Sequence, residues 1–179
     1  LGRAGLASAC AQLAAWKAAG RPALHMAVNV SAVQLRDPAF PRELRLLMER
    51  HALGPAELSL ELTESVLLAD GDGALETAQL LRGTGAALAL DDFGTGYSSL
   101  SYLKRLRPDT LKIDRSFVRD LPGDADDRTL AQAMFGMARA LSITVLAEGV
   151  ETAAQRDWLL GEGCRLQQGR LWGRPMPAT

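Results

Sequence analysis

Apolar residues recur along the chain with two periods. Leu6, Ala9, Cys10, Leu13 and Trp16 fall at helical spacing and Gly20-Arg21-Pro22 supplies a stop, which predicts an amphipathic helix. His25 to Ser31 (HMAVNVS) then alternates Met26, Val28 and Val30 against Ala27, Asn29 and Ser31, the period-two mark of a strand with two unlike faces. Leu44, Leu47 and Met48 predict another helix, closed by Gly54-Pro55. Leu58 to Glu64 (LSLELTE) alternates again, and Leu75, Ala78 and Leu81 form a helical stripe ending at Gly83. Ala86 to Asp92 (AALALDD), Thr110 to Asp114 (TLKID) and Ile143 to Glu148 (ITVLAE) read as three further strands. Leu130, Ala133, Met134, Met137 and Leu141 make the cleanest helical stripe, and a helix closing at Leu159 precedes a weak sixth strand, Arg165 to Gln168.

Strands alternating with helices predict βα units around a parallel sheet. The first strand-to-helix turn carries neither GxGxxG nor GxxxxGK[ST], which removes the dinucleotide fingerprint and a phosphate-binding loop of that type. A (β/α)8 TIM-like barrel is the fold expected. Six strands are counted where such a barrel needs eight and about 250 residues, so the missing part is expected to be N-terminal. The chain also opens at Leu1 inside a helix without an initiator Met, as a piece of a longer protein would.

Composition narrows the chemistry. At 179 residues, with 47% hydrophobic and 23% charged, the chain can bury one ordinary core. Twenty Lys+Arg against 21 Asp+Glu leave a net charge of -1, so no global positive field exists to hold a nucleic-acid polymer. No apolar run reaches the roughly 18 residues of a membrane span and no signal peptide is recognisable, so a cytoplasmic location is expected. Cys10 and Cys164 form no CxxC pair and only His25 and His51 are available, which all but excludes a Cys/His zinc site. A metal would have to sit on oxygen.

Strand parity sorts the candidate chemistry, because residues two apart share a face. Leu58, Leu60 and Leu62 take one face of their strand and leave Glu61 on the other, and Leu88 and Leu90 do the same for Asp91. Leu111 and Ile113 pack outward, so Lys112 projects inward, and Asn29 opposes Val28 and Val30. Glu148 groups with Thr144 and Leu146, and only its place at the strand's end puts it with the others. An amide, several carboxylates and an ammonium thus converge at the C-terminal mouth of the strands, the end where barrel active sites are built. Such acids repel one another unless a cation neutralises them, and oxygen donors select Mg2+ or Mn2+. Adjacent Asp91 and Asp92 offer ligands for a second ion, and two ions suit in-line displacement at a phosphodiester. Each residue alone has a plainer reading. A lone acid at a strand end often caps a helix, Glu64-Ser65 could cap the next one, Gly94 and Gly96 are turn glycines, both histidines are structural or surface, and Trp16, Trp158, Met134 and Met137 are core. The functional case rests on the set.

Asn29 in VNVS, Glu61 and Glu64 in ELTES, the run DDFGTGYSSLSYLKRL from Asp91, Lys112 in LKIDRSFV, AEGVET from Ala147 and QGRLWGRP from Gln168 resemble, in order, the motifs of the EAL-domain family. These are bacterial phosphodiesterases that cut cyclic di-GMP to linear pGpG. The resemblance implies a (β/α)8-type barrel with an atypical first strand, with Asn29, Glu61 and Asp91 as metal ligands and Asp92 associated with the second ion. It further implies that Lys112 contacts the catalytic water, that Glu148 binds metal or acts as general base, and that Glu64 braces the loop from Phe93 to Ser99. Glu151 and Gln168 line the substrate pocket on the same reading. Homodimers, and fusion to sensory or GGDEF cyclase domains, are implied as well. Two departures stand out: the Glu-Ala-Leu segment that names the family, with its own metal-binding glutamate, is not among these residues, and Arg170 stands where an aromatic residue usually follows Gln-Gly. Residues 1–179 therefore read as an EAL-domain fragment lacking that segment. Two other readings stay open: a receptor that binds cyclic di-GMP without cutting it, and a Schiff-base enzyme using Lys112.

Overall fold

The structure is a computed structural model describing residues 2–21, 24–96 and 100–178, without the side chains of residues 69, 70 and 100. Hydrogen bonding orders its strands β1 (Met26–Asn29), β2 (Leu58–Thr63), β3 (Ala87–Phe93), β4 (Thr110–Ile113), β5 (Thr144–Ala147) and β6 (Leu166–Gln167) as they occur in sequence. The pairs β1/β2, β4/β5 and β5/β6 are parallel, as βα units require. The chain divides into two compact units, one up to Ala89 and one from Leu90.

In the first unit, α1 (Gly2–Ala18) buries Leu6, Cys10 and Leu13, the i, i+4, i+7 stripe of its sequence. A short helix, α2 (Ala32–Leu35), was not predicted, although Ser31-x-x-Gln34 carries its start signal. The Ser31 hydroxyl accepts from Gln34 N at 3.3 Å and Gln34 Oε1 accepts from Ser31 N at 3.2 Å, a capping box. Helix α3 (Phe40–Arg50) buries Phe40, Leu44 and Met48. Leu58, Leu60 and Leu62 of β2 are fully buried, each burial contributing roughly 1.5–3 kcal/mol. Helix α4 (Glu64–Arg82) begins one residue after β2, with Thr63 as its N-cap, and is broken at Gly71. Glu64 therefore opens a helix and does not end a strand.

The second unit holds the rest of β3, then α5 (Leu100–Leu106), β4, a single 3-10 turn (Arg115–Phe117), α6 (Ala125–Ala140), β5, α7 (Ala153–Gly161) and β6. Its core gathers Ile113, Val118, Phe135, Ala147, Val150 and Leu159. Trp158 packs on that core with its ring centroid 6.3 Å from that of Phe135. The stripe predicted for α6 is one residue out of phase: Ala131, Phe135 and Ala138 are buried while Leu130 is 47% exposed. Alanine-rich helices tolerate either phase, and packing beside β5 selects the one that buries Phe135.

Candidate active and metal site

The C-terminal ends of β3, β4 and β5 in the second unit carry Asp91, Lys112 and, one residue past Ala147, Glu148. Leu111 and Ile113 are fully buried, which forces Lys112 onto the opposite face of a short strand. Lys112 is only 4% exposed, and its ammonium donates to Asp91 Oδ1 at 2.9 Å and to Glu148 Oε1 at 2.8 Å. Register settles the parity of Glu148. Lys112 pairs with Leu146, so the Thr144–Leu146–Glu148 face is the lysine's face. Gln168, just past β6, donates from Nε2 to the same Glu148 Oε1 at 2.6 Å.

Asp92 joins this group by breaking parity. Neighbours in a strand face opposite ways, yet Asp91, Asp92 and Glu148 each place a carboxylate oxygen within 4.8 Å of the other two. The cause is local: Asp92 has φ +54, a left-handed conformation that aspartate tolerates better than most residues, and its N–H donates to Asp91 Oδ1 at 3.1 Å. Partial burial, then the charges of Asp91 and Asp114, push the Asp92 carboxyl above its ordinary pKa, with Lys112 opposing them. Asp114 is an acid that parity alone could have found, since it lies two residues after Lys112. It instead caps the 3-10 turn, accepting from Ser116 N at 2.9 Å.

In the first unit, Asn29 and Glu61 are paired in the register of β1 with β2 and so share a face; Glu61 is buried and Asn29 exposed. Glu64 is buried in the first turn of α4. Of the loop it is expected to brace, residues 97–99 lie outside the described residues. Glu151 is exposed near Arg170, at 3.6 Å, so the departure from an aromatic residue places a cation beside a predicted pocket acid. Sequence reasoning missed Gln155, which is buried and spans two loops behind Glu148; the Thr152-x-x-Gln155 capping box was its signal.

The donor set suits a hard divalent cation. It consists of carboxylates, with no histidine or thiol among the three clustered ligands. The two thiols are elsewhere and buried, Cys164 with its pKa pushed up to about 11 by desolvation, so neither is a nucleophile. Lys112 is instead engaged by two carboxylates, at 2.9 and 2.8 Å, an arrangement that lends the Schiff-base reading no support.

Parallel βα units whose strand ends present clustered acids around a lysine define an α/β protein with an acidic group that could hold a divalent cation. The EAL domain family model matches residues 1–175. MucR of Pseudomonas aeruginosa, a bifunctional diguanylate cyclase/cyclic di-GMP phosphodiesterase, is 44% identical over 97% of this chain, which spans 25% of MucR's length. The MucR phosphodiesterase solved with c-di-GMP superposes with a TM-score of 0.90 over 97% of this chain and 70% of that one. The EAL domain of Mycobacterium smegmatis DcpA gives 0.93 at 40% identity, covering 99% of this chain and 80% of its own. BlrP1 of Klebsiella pneumoniae, solved with manganese and cy-diGMP, gives 0.85 at 33% identity over 97% of this chain and 44% of that one. The chain belongs to the EAL-domain family.

Proposed function

We propose that this chain is part of a metal-dependent phosphodiesterase domain that hydrolyses cyclic di-GMP to linear pGpG in bacterial second-messenger signalling. The observation that carries the reading is the cluster of Asp91, Asp92 and Glu148 around Lys112. Relatives named for the same activity, and neighbours solved with the dinucleotide and manganese, support it.

In this reading Asp91, Asp92 and Glu148 hold Mg2+ or Mn2+, two ions in all, and Asn29 and Glu61 complete the ligand set. The support for that pair is chemical type, shared register and family resemblance. Divalent cations bound there would supply charge to the phosphoryl oxygens and acidify water. The chain's own groups do the rest. Lys112 holds Asp91 and Glu148 at fixed separation and sets positive charge beside the incoming oxygen. Glu148, oriented by Lys112 and Gln168, takes the proton of the water whose oxygen bonds to phosphorus, while the opposite P–O ester bond breaks and the departing sugar oxygen takes up a proton from solvent. Glu151 and Gln168 line the dinucleotide pocket and Glu64 braces the loop that follows Asp92.

Residues 1–179 then form a portion of the domain, with a further acidic ligand supplied by a Glu-Ala-Leu segment outside them. The parent protein is cytoplasmic, works as a homodimer and carries sensory or GGDEF domains; MucR, named for two opposed activities, is the precedent for such a fusion. The test is a full-length parent protein incubated with cyclic di-GMP and Mn2+ or Mg2+, with products separated chromatographically. pGpG is expected, and Asp91→Ala should abolish it. Calorimetric binding without pGpG would replace the enzyme with a receptor, and full turnover by Asp91→Ala would refute the ligand assignment.

A further inference from the structure

We propose that Gln155 is a positioning residue for Glu148, locking the 148–152 loop to the turn that follows β4; this rests on the role proposed for Glu148 above. Gln155 is 4% exposed, and its carboxamide makes four hydrogen bonds. Oε1 accepts from Glu151 N at 2.8 Å and Thr152 N at 2.9 Å, while Nε2 donates to Val118 O at 3.1 Å and Arg119 O at 2.8 Å. Two amides on one side and two carbonyls on the other admit one orientation of the group and saturate it. No other uncharged side chain of that length offers two donors and a two-fold acceptor in one plane.

The remainder of the loop is held residue by residue, and Gln155 supplies its last tie. Glu148 N donates to Ile113 O at 3.1 Å, and Val150 N to Gln168 O at 3.1 Å. Gly149 sits at φ +69 so close to Arg115 that a Cβ would lie 2.4 Å from the arginine's own. Glu151 and Thr152 are then fixed by Gln155 alone among these contacts. Loss of the amide would leave two N–H groups and two carbonyls without these bonds and release the loop between Val150 and α7. Glu148 would drift from Lys112, and a displacement of about 1 Å costs catalysis on the order of a hundredfold.

Substitutions at Gln155 in the full-length parent protein test this, with kinetics, hydrogen exchange and melting temperature measured together. Gln155→Leu should lower kcat by about a hundredfold with a smaller change in KM. Amides of 148–152 should exchange faster in it. Gln155→Glu keeps the acceptor but turns a carboxylate toward two carbonyls. Protonation restores one donor, so its activity relative to the unchanged protein should recover as pH falls. A Phe135→Leu control, loosened in the same core, should lose melting temperature while keeping kcat. Unchanged exchange at 148–152, unchanged kcat, or a pH-independent Gln155→Glu ratio would overturn the proposal. If Gln155→Leu does not fold, Gln155→Glu decides; if that too fails to fold, Gln155 is a general core residue and the proposal is wrong. If the unchanged protein shows no turnover, the phosphodiesterase reading falls by itself, and exchange at 148–152 alone decides whether Gln155 locks the loop.

Discussion

Single residues show how little chain is needed to define the cluster and how sharply each position is constrained. Gly94 follows the two aspartates and Phe93, at φ +95, and a Cβ there would lie 2.7 Å from the Phe117 ring. Gly94→Ala should therefore destabilise by about 1–3 kcal/mol, whereas Gly136→Ala, in α6 with open space around it, should stabilise by about 0.5–1 kcal/mol. Urea unfolding of both variants checks the pair. Asp92 makes a prediction about pH. Burial and then its acidic neighbours raise its carboxyl in the folded state, so the metal-free fold binds a proton that the unfolded chain has already lost. Stability should fall as pH rises from the ordinary carboxylate value through the raised one, and Asp92→Asn should flatten that fall. Divalent cations compete with the same proton, so Mn2+ affinity should rise with pH over that interval and less steeply in the variant, as calorimetry would show. The identities of Asp91, Lys112 and Glu148 were legible from parity and strand ends. The positive φ that turns Asp92 toward them was not, because an Asp-Asp pair fits an ordinary strand just as well.

Among elements, the long periodic ones and the strands were readable and the short helices α2 and α5 were not. Every predicted strand exists within a few residues, and in β2 and β3 leucines at i and i+2 give one face to the core. Helix α2 escaped because four residues cannot show a period, although its capping box was in plain view. In α6 the period was read correctly and its phase was not, since Leu130 and Phe135 compete to define the buried face and only packing chooses. Phe135→Ala should cost about 3–5 kcal/mol in urea unfolding and Leu130→Ala less than about 1 kcal/mol. Similar losses at both would contradict the phase seen here.

For the molecule as a whole, the cluster implies a link between ion binding and stability. Acids placed within 4.8 Å of one another repel, and Lys112 between Asp91 and Glu148 supplies a single positive charge against three carboxylates, so a cation that binds only the folded state should raise the melting temperature. At a hundred times its dissociation constant Mn2+ should add about 2.7 kcal/mol, and Asp91→Asn should remove most of that gain. An equal shift in both proteins would place the ion elsewhere. The chain alone determined the alternation of strands and helices, the face on which Glu61, Asp91 and Lys112 stand, and the family, because periodicity and motif order are local properties. The tertiary structure decided what adjacency in space requires: which acids meet Lys112, that Glu148 shares its face through the β4/β5 register, that Asp92 turns against parity, and that a distant glutamine closes the loop behind them. Those outcomes depend on register, on one left-handed dihedral and on hydrogen bonds across 36 or 37 positions, and no window of sequence contains them.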